Sequence, residues 1–310
     1  SLVQLLQIAE RKHICPGQLL HAWSPVMLKD PTQPWITRLR MLLIMAVILR
    51  TWTGCRADQT TQWMEKWLPD DSHGAAKGRS PHSAMVPFTV QVMESEWNDE
   101  EIYGAALDYT ECFDLISFIL GIKLLMVMGL PNDIGCFMLS VYTKMQRYIV
   151  HNGAISASLL SFIGIFQGCG LSCMILNGIM AVWTRFTRRM LKNQFGPSLG
   201  GRRLSFSVYL DDRSILTSCY LLLIRILLIS RGFDISIGAI LNVVKCQIFG
   251  TVWTGLQLIQ NYIEGAKITS TPWILGMIIT AKNFVGPQEQ GKPKQEARVE
   301  RLGTLMQRAR

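Results

Sequence analysis

The stretch from Leu204 to Leu216 alternates between its two faces and is broken once, at Tyr209-Leu210-Asp211-Asp212. Two alternating runs joined by a short polar break read as a β-hairpin, because side chains of an extended chain point to opposite faces with period two. Such a hairpin fixes two adjacent carboxylates on a rigid turn and demands a partner strand. Tyr103–Tyr109 supplies one: it is short, apolar and carries Asp108 near its end. Between these acids lies a glycine-rich turn, Gly164-Ile165-Phe166-Gln167-Gly168-Cys169-Gly170-Leu171-Ser172. An isolated Asp-Asp pair reads most simply as a solvated turn. The ordered set of three segments carries more information than any one of them.

The rest of the chain supports a packed domain around these segments. It has 310 residues, enough for one large domain or two to three subdomains, and a hydrophobic content of 49 % that sets it apart from disordered chains. Residues 1–33 read as a helical lead-in and a loop. The segment from Arg40 to Trp67 reads as one strand or helix followed by an amphipathic helix, Trp52–Trp67. Pro69 to Pro87, rich in Gly and Ser, reads as a loop. Helices are expected over 115–128 and 133–149, divided by the stop signal Gly129-Leu130-Pro131, over Leu171–Leu191 and over Ser218–Arg231. Cys246–Val252 and Thr271–Thr280 are strand-like, and Pro287–Arg310 is a charged, helix-prone tail. The order of strand, helices, helix, hairpin, helix and strand predicts an α+β fold with helices against a sheet.

The net charge of +9 favours anionic partners, either nucleic acid or an anionic surface. Mean hydropathy is positive. The longest apolar runs, Met41–Leu49, Leu124–Leu130 and Tyr220–Ile229, nevertheless fall well short of the roughly 20 residues needed to span a bilayer. Ser1–Glu10 lacks the charged-then-apolar order of a secretory signal. The eight cysteines are scattered with no Cys-x-x-Cys pair, which argues against a zinc site and for reduced thiols. The expectation is an intracellular protein, nuclear or cytoplasmic, without a membrane partner. His73, His82 and His151 have no partner at catalytic spacing and read as surface residues.

Three aspartates in this order suit metal-assisted nucleotidyl transfer. Two divalent ions about 3.5–4 Å apart, bridged by carboxylates, neutralise charge on the attacking and leaving oxygens. Mg²⁺ takes few protein carboxylates and completes its shell with water and substrate phosphate, so two or three Asp suffice. On the residues quoted above, the sequence from about Arg40 to Gly276 resembles the reverse transcriptase family, and most closely its retroelement branch without long terminal repeats.

That resemblance implies a right-hand polymerase fold: fingers and a palm whose antiparallel sheet is backed by helices. It implies a lead-in at 1–33, fingers at 34–102, a palm at 103–280 and, at 281–310, a basic tail or the start of a thumb. The chain ends 34 residues after Gly276, so the thumb is expected to be absent or partial. The implied metal ligands and catalytic residues are Asp108, Asp211 and Asp212, holding Mg²⁺ with Mn²⁺ as the alternative. Phe113, five positions after Asp108, matches the aromatic that excludes a 2′-hydroxyl. Gln167 and Gly168 match the Gln-Gly of the family's Gly-Ile-Pro-Gln-Gly-Cys-Pro-Leu-Ser, where this chain replaces the prolines by Phe166 and Gly170 and so loosens the turn.

Arg40 begins a segment like the family's triphosphate-holding Arg-Pro-Ile, with Met41 in place of Pro. Lys245, after Leu241-Asn242-Val243-Val244, matches a lysine near the leaving pyrophosphate. Lys77 and Arg79, in Gly74-Ala75-Ala76-Lys77-Gly78-Arg79-Ser80, are candidates for the template backbone. Trp273-Ile274-Leu275-Gly276 resembles the Leu-Gly turn of the primer grip, which makes Gly276 a nucleic-acid contact. The implied partners are an RNA template, a DNA or RNA primer and deoxynucleoside triphosphates. Phe113 and Tyr209 favour DNA synthesis over the alternative of an RNA-templated RNA polymerase. A catalytically decayed relative that only binds nucleic acid is the other alternative.

Overall fold

A computed structural model describes residues 1–28, 39–196, 198–279, 281 and 283–287. The expected tail beyond 287 and the side chain of Arg40 lie outside what is described. The chain opens with helix α1 (Leu2–Arg11), whose N-terminus is closed by a capping box between Ser1 and Gln4. Strand β1 (His21–Leu28) and the short β2 (Leu39–Met41) precede the long helix α2 (Val47–Trp67). Helix α3 (Pro81–Trp97) leads to strand β3 (Tyr103–Leu107) and helices α4 (Cys112–Leu115), α5 (Phe118–Val127) and α6 (Asn132–Lys144). Strands β4 (Gln146–His151), β5 (Ala154–Ile155) and β6 (Leu159–Leu160) come before helix α7 (Ser172–Phe195). The hairpin of β7 (Leu204–Tyr209) and β8 (Asp212–Thr217) is followed by helix α8 (Tyr220–Ile237), strand β9 (Gln247–Gly250) and helix α9 (Trp253–Gln260). Strands β10 (Lys267–Ile268), β11 (Trp273–Ile274) and β12 (Met277–Ile278) complete the described order.

Several elements depart from the sequence expectation. β1 lies inside the expected lead-in loop: it pairs in parallel with β4, His21 opposite Gln146 through Pro25 opposite Val150. The expected helix over 133–149 stops at Lys144, because Tyr148-Ile149-Val150 is β-branched and aromatic and finds that partner strand. α3 begins inside the expected loop 69–87. Pro81 takes the first helical position, where its missing N–H costs nothing, and the Ser80 hydroxyl accepts from Ser83 N at 3.2 Å. α9 was not anticipated at all.

The chain forms two compact units. The first comprises Ser1–Leu68, Glu111–Ala181 and Ile237–Ala239. Its sheet runs β2-β1-β4-β5, with β6 also on β4. The buried carboxylate of Glu10 fastens α1 to α2 by accepting from Trp52 Nε1 and Arg56 Nε, both at 2.8 Å.

The second unit comprises Pro69–Thr110, Val182–Ser236 and Ile240–Arg310, of which the described residues form the sheet β10-β9-β3-β8-β7. Central β3 pairs antiparallel with both β8 and β9, and only β10 runs parallel to its neighbour. Met85, Phe88 and Val92 of α3 pack with Leu216, Phe249, Ile274 and Phe284 into one buried cluster. The architecture is mixed α+β, as expected. No described helix is long and apolar enough to cross a membrane. All eight cysteines are free thiols.

Candidate active site

In the second unit, the acids sit where register dictates. β3 and β8 pair Leu107 with Arg213 and Ala106 with Ser214. Asp108 and Asp212 each lie one residue beyond the Leu107–Arg213 pair, on the same side as Ala106 and Ser214. The hairpin closes with Tyr209 opposite Asp212 over the two-residue turn Leu210-Asp211. Leu210 has φ +56°, a left-handed conformation uncommon outside glycine.

Neighbouring backbone holds that turn in place. His73 N donates to Val208 O at 2.7 Å and Val208 N donates to Asp71 O at 2.8 Å, so residues 71–73 cover the outer edge of β7. A covered edge cannot recruit another chain. Gly74 then passes against the turn: a Cβ there would lie 2.6 Å from both Leu210 N and Leu210 Cγ. His73 is buried rather than at the surface, with Nδ1 3.1 Å from Ser83 Oγ. Burial, reinforced by the Arg79 cation, pushes its pKa down from the ordinary imidazole value.

Asp108, Asp211 and Asp212 line one open cavity of about 700 Å³ together with Lys245, Lys267 and Trp273. Lys245 Nζ stands 3.1 Å from Asp108 Oδ2. That is an ion pair by distance, but not by angle a hydrogen bond, so the buried Oδ2 keeps an acceptor position open. The Asp212 carboxyl is pushed up to about 7, first by burial, then by the charges of Asp211 and Asp108, with Lys245 acting the other way. Like charges gathered under partial burial are what a cation would relieve.

Among the described residues no three Asp, Glu, His or Cys side chains converge to hold one ion unaided. The donor set still fits a hard divalent cation that takes one or two carboxylates and completes its shell from substrate phosphate. The open oxygen on Asp108 and the mutual repulsion of the acids are consistent with that fit.

The rim of the cavity is a second hairpin, β11–β12, in which Leu275 (φ +50°) and Gly276 (φ +77°) form the turn. Two consecutive left-handed residues are the geometry of a type I′ turn. Gln247, which the sequence did not single out, clasps this hairpin. Its Nε2 donates to Trp273 O at 3.0 Å and its Oε1 accepts from Trp273 N at 2.8 Å, copying a backbone pair. Alternation along β9 would have placed Gln247 on the acidic face, but nothing in the sequence names its partner.

In the loop before α3, Lys77 is exposed. Arg79 is turned onto its own loop, with Nη1 donating to Pro69 O at 2.6 Å and Ser72 O at 2.5 Å.

The first unit holds the remaining candidates. Phe113 is half-buried in α4, and its carbonyl accepts from Ile165 N at 2.5 Å. Gln167 Nε2 donates to Asp114 Oδ2 at 3.2 Å, while Gln167 O accepts from Leu43 N at 2.8 Å. Gly168 has φ +131°, and a Cβ there would stand 2.3 Å from Leu43 O, so only glycine fits. Phe166 is fully buried, stacked on Tyr142 at 3.9 Å between centroids and 4° between planes, with the Arg147 guanidinium carbon 4.6 Å away. The expected loosening of this turn is thus met by an aromatic anchor. Arg40 lies in β2 opposite Met27.

The chain has a reverse-transcriptase-like fold. Three solved structures of telomerase share that fold over most of this chain. Apo telomerase from Candida tropicalis, truncated from its C-terminal domain, matches with a TM-score of 0.52 at 12 % identity, over 76 % of this chain and 51 % of that one. Telomerase from Candida albicans with a TWJ fragment of telomeric RNA matches at 0.52 and 12 %, over 86 % of this chain and 46 % of that one. The corresponding Candida tropicalis complex matches at 0.56 and 10 %, over 90 % and 46 %. The chain thus spans about half the length of these structures. No protein-family profile matches the sequence, and no curated protein does.

Proposed function

We propose that this chain is the fingers and palm of a reverse transcriptase, extending a DNA or RNA primer with deoxynucleotides on an RNA template. The observation that carries the reading is the lining of one cavity by Asp108, Asp211 and Asp212, brought from two strand ends of a sheet with a reverse-transcriptase-like fold. The telomerase structures bound to RNA support an RNA partner. The quoted motifs point to the retroelement type without long terminal repeats, within an intracellular, nuclear or cytoplasmic setting.

In this reading Asp108, Asp211 and Asp212 hold Mg²⁺ or Mn²⁺. The bound ions supply charge neutralisation at the attacking and leaving oxygens. The rigid β7–β8 turn keeps the carboxylates aimed without further reorganisation, the kind of preorganisation from which electrostatic catalysis draws most of its effect. Lys245, on the open side of Asp108, neutralises the departing pyrophosphate and can donate a proton to it. The β11–β12 turn at Gly276 supports the primer end beside the acids. Phe113 excludes the 2′-hydroxyl by shape, Gln167 and Gly168 present the nucleotide-facing turn, and Arg40 binds the triphosphate. Lys77 and Arg79 lie near the template backbone.

The test is primer extension on poly(rA) with dTTP and Mg²⁺, with a thumb supplied in trans where needed. Extension by the wild-type chain and none by a normally folded Asp211→Asn variant is the expected result. Equal extension by both would refute the assignment.

A further inference from the structure

Helix α8 carries a buried acid that the proposed chemistry does not use. Asp234 is 3 % exposed. Its Oδ1 accepts from the Tyr109 hydroxyl, and its Oδ2 accepts from Arg213 Nη2 at 2.8 Å. Arg213 is itself fully buried, with its guanidinium carbon 4.5 Å from the ring centroid of Tyr109 and 4.9 Å from that of Trp183. Trp183 donates Nε1 to Ser230 Oγ at 3.0 Å, which closes the back of the sandwich.

The two residues that meet on Asp234 occupy telling positions. Tyr109 directly follows Asp108, and Arg213 directly follows Asp212. Consecutive side chains of an extended backbone point to opposite sides. The acids therefore stand on one side of β3 and β8, and Tyr109 and Arg213 on the other. One carboxylate on α8 ties together, from behind, the two backbone segments that carry acids in front. The backbone is held as well: Asn242 N donates to Asp108 O at 2.8 Å, and Thr110 N donates to Ile240 O at 2.7 Å.

Stability alone is a poor account of this arrangement. A buried ion pair costs more desolvation than a well-packed apolar group of similar volume, and replacing one is often neutral or stabilising. A directional, fully buried network admits one relative placement of its members, where apolar packing would admit several.

We propose that Asp234 is a positioning residue: through Tyr109 and Arg213 it fixes the separation and aim of the Asp108 and Asp212 carboxylates, and so sets the affinity of the acidic cluster for divalent cations. The proposal rests on the reading of that cluster as a cation site.

The experiment titrates Mn²⁺ alone, without nucleotide, into the full chain by calorimetry and by the electron paramagnetic resonance of free Mn²⁺. Wild type is compared with Tyr109→Phe, Asp234→Asn and Asp211→Asn, and thermal melting is recorded for each. Tyr109→Phe removes one oxygen and leaves the ring under Arg213, so the fold should survive, which the melting curve checks. It should bind Mn²⁺ about tenfold more weakly, the loss typical when a group that orients a metal ligand is removed. In primer extension its kcat should fall at fixed Mn²⁺ and recover at higher Mn²⁺, with the nucleotide KM unchanged. Melting changes without any change in Mn²⁺ affinity would overturn the positioning role. A wild-type chain that binds Mn²⁺ and an Asp211→Asn variant that does not would leave the cation site standing in that case. Absence of Mn²⁺ binding by the wild type would sink both together.

Discussion

Lys245 Nζ lies 3.1 Å from Asp108 Oδ2, on a lysine whose side chain is otherwise largely in solvent. An exposed ammonium in this place holds one negative charge of the cluster in check without sealing it. In the proposed reading, a divalent ion held by Asp108 would compete with Lys245 for that carboxylate.

Lys245→Met should therefore act in two directions. Mn²⁺ affinity in the absence of nucleotide should rise by several-fold, because a competing cation is gone. Extension should fall by about 10²-fold, within the range for removing one acid–base group. Calorimetry and single-turnover extension on the same preparation separate the two effects.

The acidity of Asp212 sets a pH dependence. Its carboxyl holds a proton up to about pH 7 in the folded chain. An incoming cation must displace that proton, so affinity should climb as pH rises through 7 and level off above it. The decline below 7 should reach about tenfold per pH unit, the limit for one proton released per ion bound. Stability without cations runs the opposite way. The folded state binds this proton more tightly than the unfolded one, so stability contributed by Asp212 is lost as pH rises from the ordinary carboxylate range toward 7. Mn²⁺ titrations and melting curves between pH 5 and 8 should show these opposed trends, both flattened in Asp212→Asn.

Gly74→Ala places a methyl group 2.6 Å from backbone and side-chain atoms of Leu210. The hairpin turn must shift to admit it, at a cost of about 1–3 kcal/mol, the scale for overpacking a close contact. Denaturant unfolding should show the loss. Mn²⁺ affinity should fall with it, since Asp211 is the next residue of that turn. An unchanged midpoint together with unchanged Mn²⁺ binding would contradict this account of the glycine.

Phe113→Ala should admit ribonucleotides into the growing strand. The expected signature is a drop of about 10²-fold in discrimination against rUTP relative to dTTP, with dTTP turnover changed less, since in the proposed role Phe113 selects the sugar by shape. Competition between the two nucleotides on poly(rA) measures the ratio directly.

What the sequence revealed follows the range of the forces involved. The β7–β8 hairpin, β3 and helices α5 to α8 were legible because period two and period 3.6 are local signals. α3 escaped because the Gly, Ser and Pro that dominate its approach, Ser80 among them, carry the signature of a loop. β4 escaped because its apolar residues continue the pattern of α6, and only pairing with β1 makes them a strand. At the site, the sequence singled out the three aspartates that line the cavity. The clasp of Gln247 on Trp273 and the meeting of Tyr109 and Arg213 on Asp234 were not, since each joins residues far apart in sequence whose types are unremarkable singly. The bonds of Arg79 to the carbonyls of Pro69 and Ser72 were likewise not legible: the resemblance named Arg79 a template candidate and said nothing of its contacts within its own loop.

The Phe166–Tyr142 stack moves the origin of stiffness from the bond geometry of one residue to the company it keeps. A ring clamped between a tyrosine and an arginine does by tertiary contact what a pyrrolidine does by covalent closure. A turn held in this way keeps its shape with no proline in it. The residue that matters to such a turn is then as much its neighbour in space as its neighbour in the chain.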